Sequence, residues 1–392
     1  MGATAAVSER TIASGSGGYN RSDKEMSVTR LLSRLFFCAF LGGCAAGTVP
    51  SGPTGESQSP RVSAAAAPEF SVAAVGDIML GGTATPELQK LGYDYPFEQV
   101  RSVLKQAQIV FGNLEGPLTD GGEPMQDKKY VFRSPPDKVA PALARAGFNV
   151  VSLANNHSMD YGPQGLEDTR AALEKNGIQP VGAGQNLAQA RAPVYMKAGA
   201  ATVAFLAYSL TFPEEFWAAP DKPGTAFGHE ESVRADVAAA RQKADVVIVS
   251  FHWGQEGKTE LRDYQVLLAH AAIEAGAAAV FGHHPHVLQA VEHYKDGVIL
   301  YSLGNFTFGS YSKAATRSVI ALLTFRDGRV RELRLTPIDV NNVEVVFQPR
   351  LLSGQDAVQE LEEIGHLSRE RGTALETRGD AAVLTFADRS GT

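Results

Sequence analysis

Six short polar clusters in this chain each follow an apolar run. They are Gly76-Asp77, Asn113-Leu114-Glu115, Asn155-Asn156-His157, Phe251-His252-Trp253-Gly254, Gly282-His283-His284-Pro285-His286 and Gly304-Asn305-Phe306. Together they hold two acids and five of the nine histidines. Carboxylate, carboxamide and imidazole are the ligand set of divalent metals of intermediate hardness, Mn²⁺, Fe²⁺ and Zn²⁺. Loops at the strand ends of an α/β sheet converge from distant parts of a chain. The clusters therefore predict one metal-centred site assembled from strand-end loops.

Singly, the clusters differ in what they carry. Three histidines fall within 283–286, a density that packing does not explain. His284 and His286 are expected to point the same way from an extended loop, with His283 facing away and positioning its neighbours. Asp77 reads equally as a ligand or as the cap of a turn. Asn113 and Glu115 share a face, because residues i and i+2 do so in extended chain; they are either ligands or a hydrogen-bonded loop. Asn155-Asn156-His157 offers one ligand and one acid or base, and Asp160 is placed to orient His157. His252 alone would be a structural core histidine and gains meaning from the other clusters. Asn305 reads as a supporting, loop-holding residue. Tyr130 and Arg133 could contact an anionic substrate, as could Lys128 and Lys129, for which a solvated charge run is the simpler reading. Residues 211–229 look like a pocket-edge insertion, and His229, His270, His293 and His366 read as surface or structural.

The elements that must position these residues are legible as alternating patterns. Strands are predicted at 70–75, 109–112, 148–153, 202–207, 246–251, 278–281 and 298–303. Helices are predicted at 96–106, 136–146, 163–176, 233–243 and 263–275. The alternation indicates an α/β domain. A late hairpin, 318–325 and 330–339 about Asp327-Gly328, suggests a second, partly antiparallel sheet. A charged helix at 354–371 and a last strand at 381–386 follow. A formal charge of -7 argues against a nucleic-acid binder, which would show a basic stripe. Cys38 and Cys44 are the only cysteines. A metal in the body of the protein must therefore be held by oxygen and nitrogen.

Residues 26–44 read as a signal peptide, with Arg30 and Arg34 before an apolar stretch, 35–41, too short to span a bilayer. Leu41-Gly42-Gly43-Cys44 resembles a bacterial lipobox, which would make Cys44 the lipidated first residue of the mature protein; an ordinary cleaved signal is the alternative. Ala45 after the cysteine would direct a Gram-negative lipoprotein to the outer membrane. The expected organisation is an N-terminal extension and signal at 1–43, an Ala/Gly/Ser/Pro tether at 44–69, the folded domain at 70–345 and a helical extension at 346–392. The start codon is either Met1 or Met26.

Six motifs, in order, resemble the CapA family of poly-γ-glutamate capsule biosynthesis proteins. They are Gly76-Asp77-Ile78-Met79-Leu80-Gly81, Gly112-Asn113-Leu114-Glu115, Ala154-Asn155-Asn156-His157 through Asp160-Tyr161-Gly162, His252-Trp253-Gly254, Gly282-His283-His284-Pro285-His286 and Tyr301-Ser302-Leu303-Gly304-Asn305-Phe306. That family lies within the calcineurin-like metallophosphoesterase superfamily. The resemblance implies a four-layer α-β-β-α sandwich with one or two divalent ions at the strand ends. It implies Asp77 and His286 on a first metal, Glu115 near the bridging position, and Asn156, His252 and His284 on a second, with His157 resembling the general acid. The superfamily usually opens with Asp-x-His, whereas Met79 stands in the third position here. This departure weakens the expectation of phosphatase activity more than that of metal binding. The implied role is cell-envelope work on an anionic polymer such as poly-γ-glutamate, alongside capsule synthesis or export proteins. The alternatives are a stand-alone phosphoester or amide hydrolase, or a non-catalytic envelope scaffold.

Overall fold

Period-two alternation sorts the side chains of the buried strands into two sets, and the two sets face different layers. Strand Phe70–Met79 sends Val72 and Ala74 to one side, Ala73 and Val75 to the other. Ile109–Leu114 does the same with Ile109 and Phe111 against Val110. In a second sheet, Ala201–Ser209 and Val246–His252 turn Val203, Phe205 and Ile248 inward and Ala204, Leu206 and Val249 outward. The inward sets form one core between two sheets, where Phe111 stacks on Phe205 at 5.7 Å. The outward sets pack against helices: Pro136–Ala146 and Gly162–Lys175 on the first sheet, Glu230–Arg241 and Asp263–Glu274 on the second. This computed structural model, which describes residues 69–387, is a four-layer α-β-β-α sandwich. The expected signal peptide, Cys44 and nearly all of the expected tether lie outside the described residues. Among the described residues, no helix is long and apolar enough to cross a membrane.

Parallel pairing fixes the site. In the first sheet, Phe70–Met79 runs parallel to Ile109–Leu114, which runs parallel to Val150–Ser152. Asp77 is thereby level with Asn113, and Asn113 with Ser152. Asn305–Phe308 joins the same end of the first strand, with Asn305 opposite Asp77. In the second sheet, Ala201–Ser209, Val246–His252, Ala279–His283 and Gly297–Leu300 are parallel neighbours, with His283 opposite His252.

Three expectations are corrected. The hairpin does turn at Asp327 and Gly328, both left-handed, but its strands Arg317–Arg326 and Arg329–Asp339 extend the first sheet. They do so because the first strand offers an antiparallel edge from Phe70 to Ala74. The helix expected at 96–106 is a 3₁₀ turn, Tyr95–Phe97, and a short helix, Arg101–Leu104. Its apolar spacing (Phe97, Val100, Leu104) is buried by a chain of i→i+3 bonds, Phe97 to Asp94, Val100 to Phe97 and Val103 to Val100. The strand expected at 298–303 ends at Leu300, where Tyr301 N–H turns to the Ala290 carbonyl.

The C-terminal helix, Gly354–Arg369, presses Leu361 and Ile364 into the inter-sheet core. Beyond it, Glu376–Arg378 and Ala381–Thr385 add to the first sheet. This segment also covers the edge strand Val291–Tyr294 of the second sheet. Val291 N–H donates to Ser368 Oγ at 3.0 Å and His293 N–H to Thr373 Oγ1 at 2.8 Å.

One residue of this helix makes stability depend on pH. Burial, with Glu363 adding to it and Arg317 opposing, pushes the Glu360 carboxyl from 4.5 up to about 7. The folded state thus holds a proton that the unfolded chain releases near 4.5, so this contribution is full below about 4.5 and is lost as pH rises through about 7. Denaturant midpoints measured across that window should fall in the wild type more than in Glu360→Gln. Parallel pH profiles for the two proteins would remove Glu360 from this account.

Candidate metal centre

Glu115 lies just beyond the strand Ile109–Leu114 with no exposure, and its Oε1 has no hydrogen-bond partner. That oxygen is 3.6 Å from His252 Nε2 and 3.8 Å from His286 Nε2. These separations are too long for hydrogen bonds. They are the spacing of atoms that share a cation, since two ligands each about 2.1 Å from one ion lie roughly 3–4 Å apart. Two overlapping triads place one ligand atom per residue within 4.8 Å of each other: Glu115, His284 and His286, and Asp77, Glu115 and His252. Glu115 belongs to both, so its carboxylate stands between the two candidate positions.

The neighbouring polar groups orient this set. Asn113 Nδ2 lies 2.9 Å from Asp77 Oδ1, 3.4 Å from Glu115 Oε2 and 3.2 Å from His252 Nδ1. Asn113 is in turn fixed by Asn155, whose Nδ2 donates to Asn113 Oδ1 at 3.1 Å. Asn156 Oδ1 is 2.7 Å from His252 Nε2. His286 Nδ1 lies 2.9 Å from Asn305 Oδ1 and 3.1 Å from Asp77 Oδ2. His286 lies beside Asp77 and the His252 and His284 rings are 4.7 Å apart, but the two triads group His284 with His286 and Asp77 with His252, a different division from the one the resemblance implies.

The backbone around these residues is tight. A Cβ on Gly76 would sit 2.0 Å from the Gly304 carbonyl oxygen, so only glycine lets the segment before Asn305 lie against Asp77. His284 (φ 93°) and His286 (φ 58°) are both left-handed, so the expected extended loop is absent. Non-glycine residues held there cost of order 1–3 kcal/mol each and cluster at functional sites. His283 does not face away as expected. It is fully buried at the end of its strand, with Nδ1 3.2 Å from Asp77 Oδ1. Pairing with His252 turns it into the inter-sheet space, against the Phe111 ring.

Electrostatics mark the pocket as short of positive charge. Burial, then the neighbouring Asp77, raises Glu115 well above the usual carboxylate range. Asp77 stays low despite its burial, held by His283 and His286. His286 is pushed up to about 10: burial opposes, but Glu115 and Asp77 prevail. Burial, then the charge of His286, holds His284 down to about 3. An orphaned buried carboxylate oxygen among imidazoles is the donor set a divalent cation satisfies.

Beside the triads, His157 Nδ1 is 2.7 Å from Asp160 Oδ2. Asp160 also accepts Phe132 N–H at 2.8 Å and the Lys128 ammonium, which reaches the Asn156 carbonyl too. Lys128 is therefore not part of a solvated charge run: its side chain is 16% exposed and its Nζ lies 5.0 Å over the Phe216 ring. Sequence reasoning undervalued it because the adjacent Lys129 and Tyr130 do lie outside, with Tyr130 exposed and Lys129 over its ring. The signal was the position of Lys128 in the loop that returns from Glu115. Arg133 packs over Tyr161, Phe132 on the His157 ring and Phe308 on the His286 ring, forming an aromatic and basic rim. Met79 is buried and its sulfur accepts Gly81 N–H at 3.2 Å, so the position two after Asp77 braces a turn.

Residues 71–310 match the model of a family described as bacterial capsule synthesis protein PGA_cap, which covers more than half of the chain. The chain belongs to this family. PGA_cap relatives include the PGA biosynthesis protein CapA of Bacillus subtilis, 33% identical over 288 residues, 73% of this chain and 76% of the relative. The capsule biosynthesis protein CapA of Bacillus anthracis is 34% identical over 272 residues, 68% of this chain and 66% of that protein. Among solved structures, a putative 5′-nucleotidase from Staphylococcus aureus superposes with a TM-score of 0.44 at 14% identity, over 76% of this chain and 58% of its own.

Proposed function

We propose that this PGA_cap protein acts at the bacterial cell envelope in the synthesis, export or anchoring of an anionic polymer such as poly-γ-glutamate, through a metal-dependent hydrolase-type site. The observation that carries the reading is the orphaned Glu115 oxygen standing between two triads of buried acids and buried or half-buried histidines. Asp77, Glu115, Asn156, His252, His284 and His286 would hold one or two ions of Mn, Fe or Zn, with Asn113, His283 and Asn305 supporting them. A divalent cation there supplies Lewis acidity and neutralises charge on an anionic substrate. The chain's own groups do the rest. Asp160 holds the Nδ1 side of His157, leaving Nε2 to exchange a proton with the leaving group. Lys128 adds a cationic group beside that pair, its pKa lowered by burial and held up by Asp160. Arg133 and Tyr130 on the rim meet the carboxylates of the polymer, with capsule synthesis or export proteins as partners.

The test is incubation of the metal-reconstituted protein with poly-γ-glutamate and, separately, with bis(p-nitrophenyl) phosphate. Shortening of the polymer alone supports the envelope role, and turnover of the phosphodiester alone supports a stand-alone phosphoesterase. A second reading, a non-catalytic envelope scaffold, is favoured by Met79 where the wider superfamily has a ligand; binding of polymer without cleavage of either substrate would select it.

Membrane attachment would run through a lipid on Cys44, placing the protein on the outer membrane in a Gram-negative host. The Cys44→Ser protein should move from the membrane pellet to the soluble fraction. Retention in the pellet would rule out the lipid anchor.

A further inference from the structure

Of the three histidines in the two triads, His286 is the one that burial fixes least: its side chain is 18% exposed. An imidazole turns about a soft, roughly two-fold torsion, so its partners set its direction. Beyond Asp77, those partners are Asn305, whose Oδ1 is 2.9 Å from Nδ1, and the Phe308 ring at 4.7 Å. Both come from the strand Asn305–Phe308. That strand is in turn clasped by residues 342–347. Asn342 is buried, and its Nδ2 donates to the carbonyls of Phe308 and Ser310 at 2.7 Å each. Both donors of one carboxamide thus go to the backbone just past the Phe308 side chain. At the other end of the clasp, the Phe347 carbonyl accepts Thr307 Oγ1 at 3.1 Å. The chain makes this second bond with Val346 and Phe347 at φ 52° and 62°, left-handed values that β-branched and aromatic residues rarely take. Such backbone persists only where its surroundings over-determine it, and here they include the strand that carries Asn305.

We propose that Asn342 is a positioning residue of the metal centre, acting through Phe308 and Asn305 on the imidazole of His286. His286 as a ligand is part of the proposed function, and the role of Asn342 rests on it. Without the carboxamide, the Phe308 and Ser310 carbonyls lose a donor and the end of the strand can part from the clasp. The Phe308 ring then no longer backs the imidazole, and Asn305 no longer meets Nδ1 squarely. If Asn342 served the fold alone, its loss would lower stability and leave the imidazole where it is. Asn341 separates the two cases. It caps the same short helix, Asn342–Val345, and its side chain bonds to Val343 and Glu344, away from the strand.

The probe is Zn²⁺, titrated into the metal-free full chain in competition with a chromogenic chelator. Asn342→Ala should weaken binding at least about tenfold, the scale for losing a group that orients a metal ligand. Asn341→Ala, which loosens the same segment from its helical side, should bind like wild type. Phe308→Leu removes the ring and keeps the bonds of Asn342; it should also weaken binding, and it keeps the test open if Asn342→Ala folds poorly. Wild-type affinity in Asn342→Ala, or an equal loss in Asn341→Ala, would overturn the positioning role. If the wild type takes up no Zn²⁺, the ligand reading of His286 fails on its own account. The imidazole resonances of His286 in NMR of the metal-free protein then decide about Asn342. A change in Asn342→Ala that Asn341→Ala lacks upholds its hold on the ring, and unchanged resonances overturn it.

Discussion

Elemental analysis of the His284→Ala/His286→Ala protein should find metal affinity reduced by more than about a hundredfold, with the fold intact. Loss of an outer-shell partner alone typically costs 10–100-fold, and this change removes two imidazoles that face Glu115 and Asp77 directly. The fold should survive because neither ring belongs to the three apolar clusters that hold the layers together. Both positions already carry left-handed backbone, so alanine there inherits a strain that the loop tolerates. Circular dichroism and a denaturant midpoint near that of the wild type are the controls. Full metal occupancy in the double variant would show that the ion sits elsewhere.

His157→Ala should separate chemistry from binding. General acid–base groups contribute about 10²–10⁴ in rate, so turnover of whichever substrate the protein cleaves should fall by that factor while metal content stays unchanged. The basis is geometric: His157 belongs to neither triad, and its Nδ1 is held by Asp160. Equal losses of metal and turnover would make His157 a ligand. Burial lowers the His157 pKa while Asp160 opposes that shift, so Asp160→Asn should move the alkaline limb of the pH–rate profile to lower pH more than it alters KM.

Much of the site was legible because each of its residues ends an apolar run, and parallel pairing leaves little choice about which end of the sandwich those residues reach. Asp77, Asn113 and Asn305 meet through register alone. What was not legible depended on backbone torsion and on contacts across the layers. Nothing in Gly-His-His-Pro-His states that two of its histidines adopt positive φ, or that His283 closes the strand beside His252 and so lies buried next to Asp77. Lys128 was equally hidden: beside Lys129 and Tyr130 it resembles solvated surface, and its burial is set by Asp160 and Phe216, residues remote in sequence. The antiparallel half of the first sheet was misplaced for a related reason, since hairpin chemistry fixes a turn and leaves open which edge its strands will join.

The position of Asp160 has a kinetic consequence. One carboxylate grips the His157 imidazole, the Lys128 ammonium and the amide of Phe132, whose ring packs on His157. A bulky polymer that levers the Phe132 loop aside must break bonds to the same carboxylate that aligns the acid. On the proposed reading, displacing the Phe132 segment and aligning His157 draw on one and the same carboxylate, so access of a long chain and readiness of the acid would be coupled through Asp160.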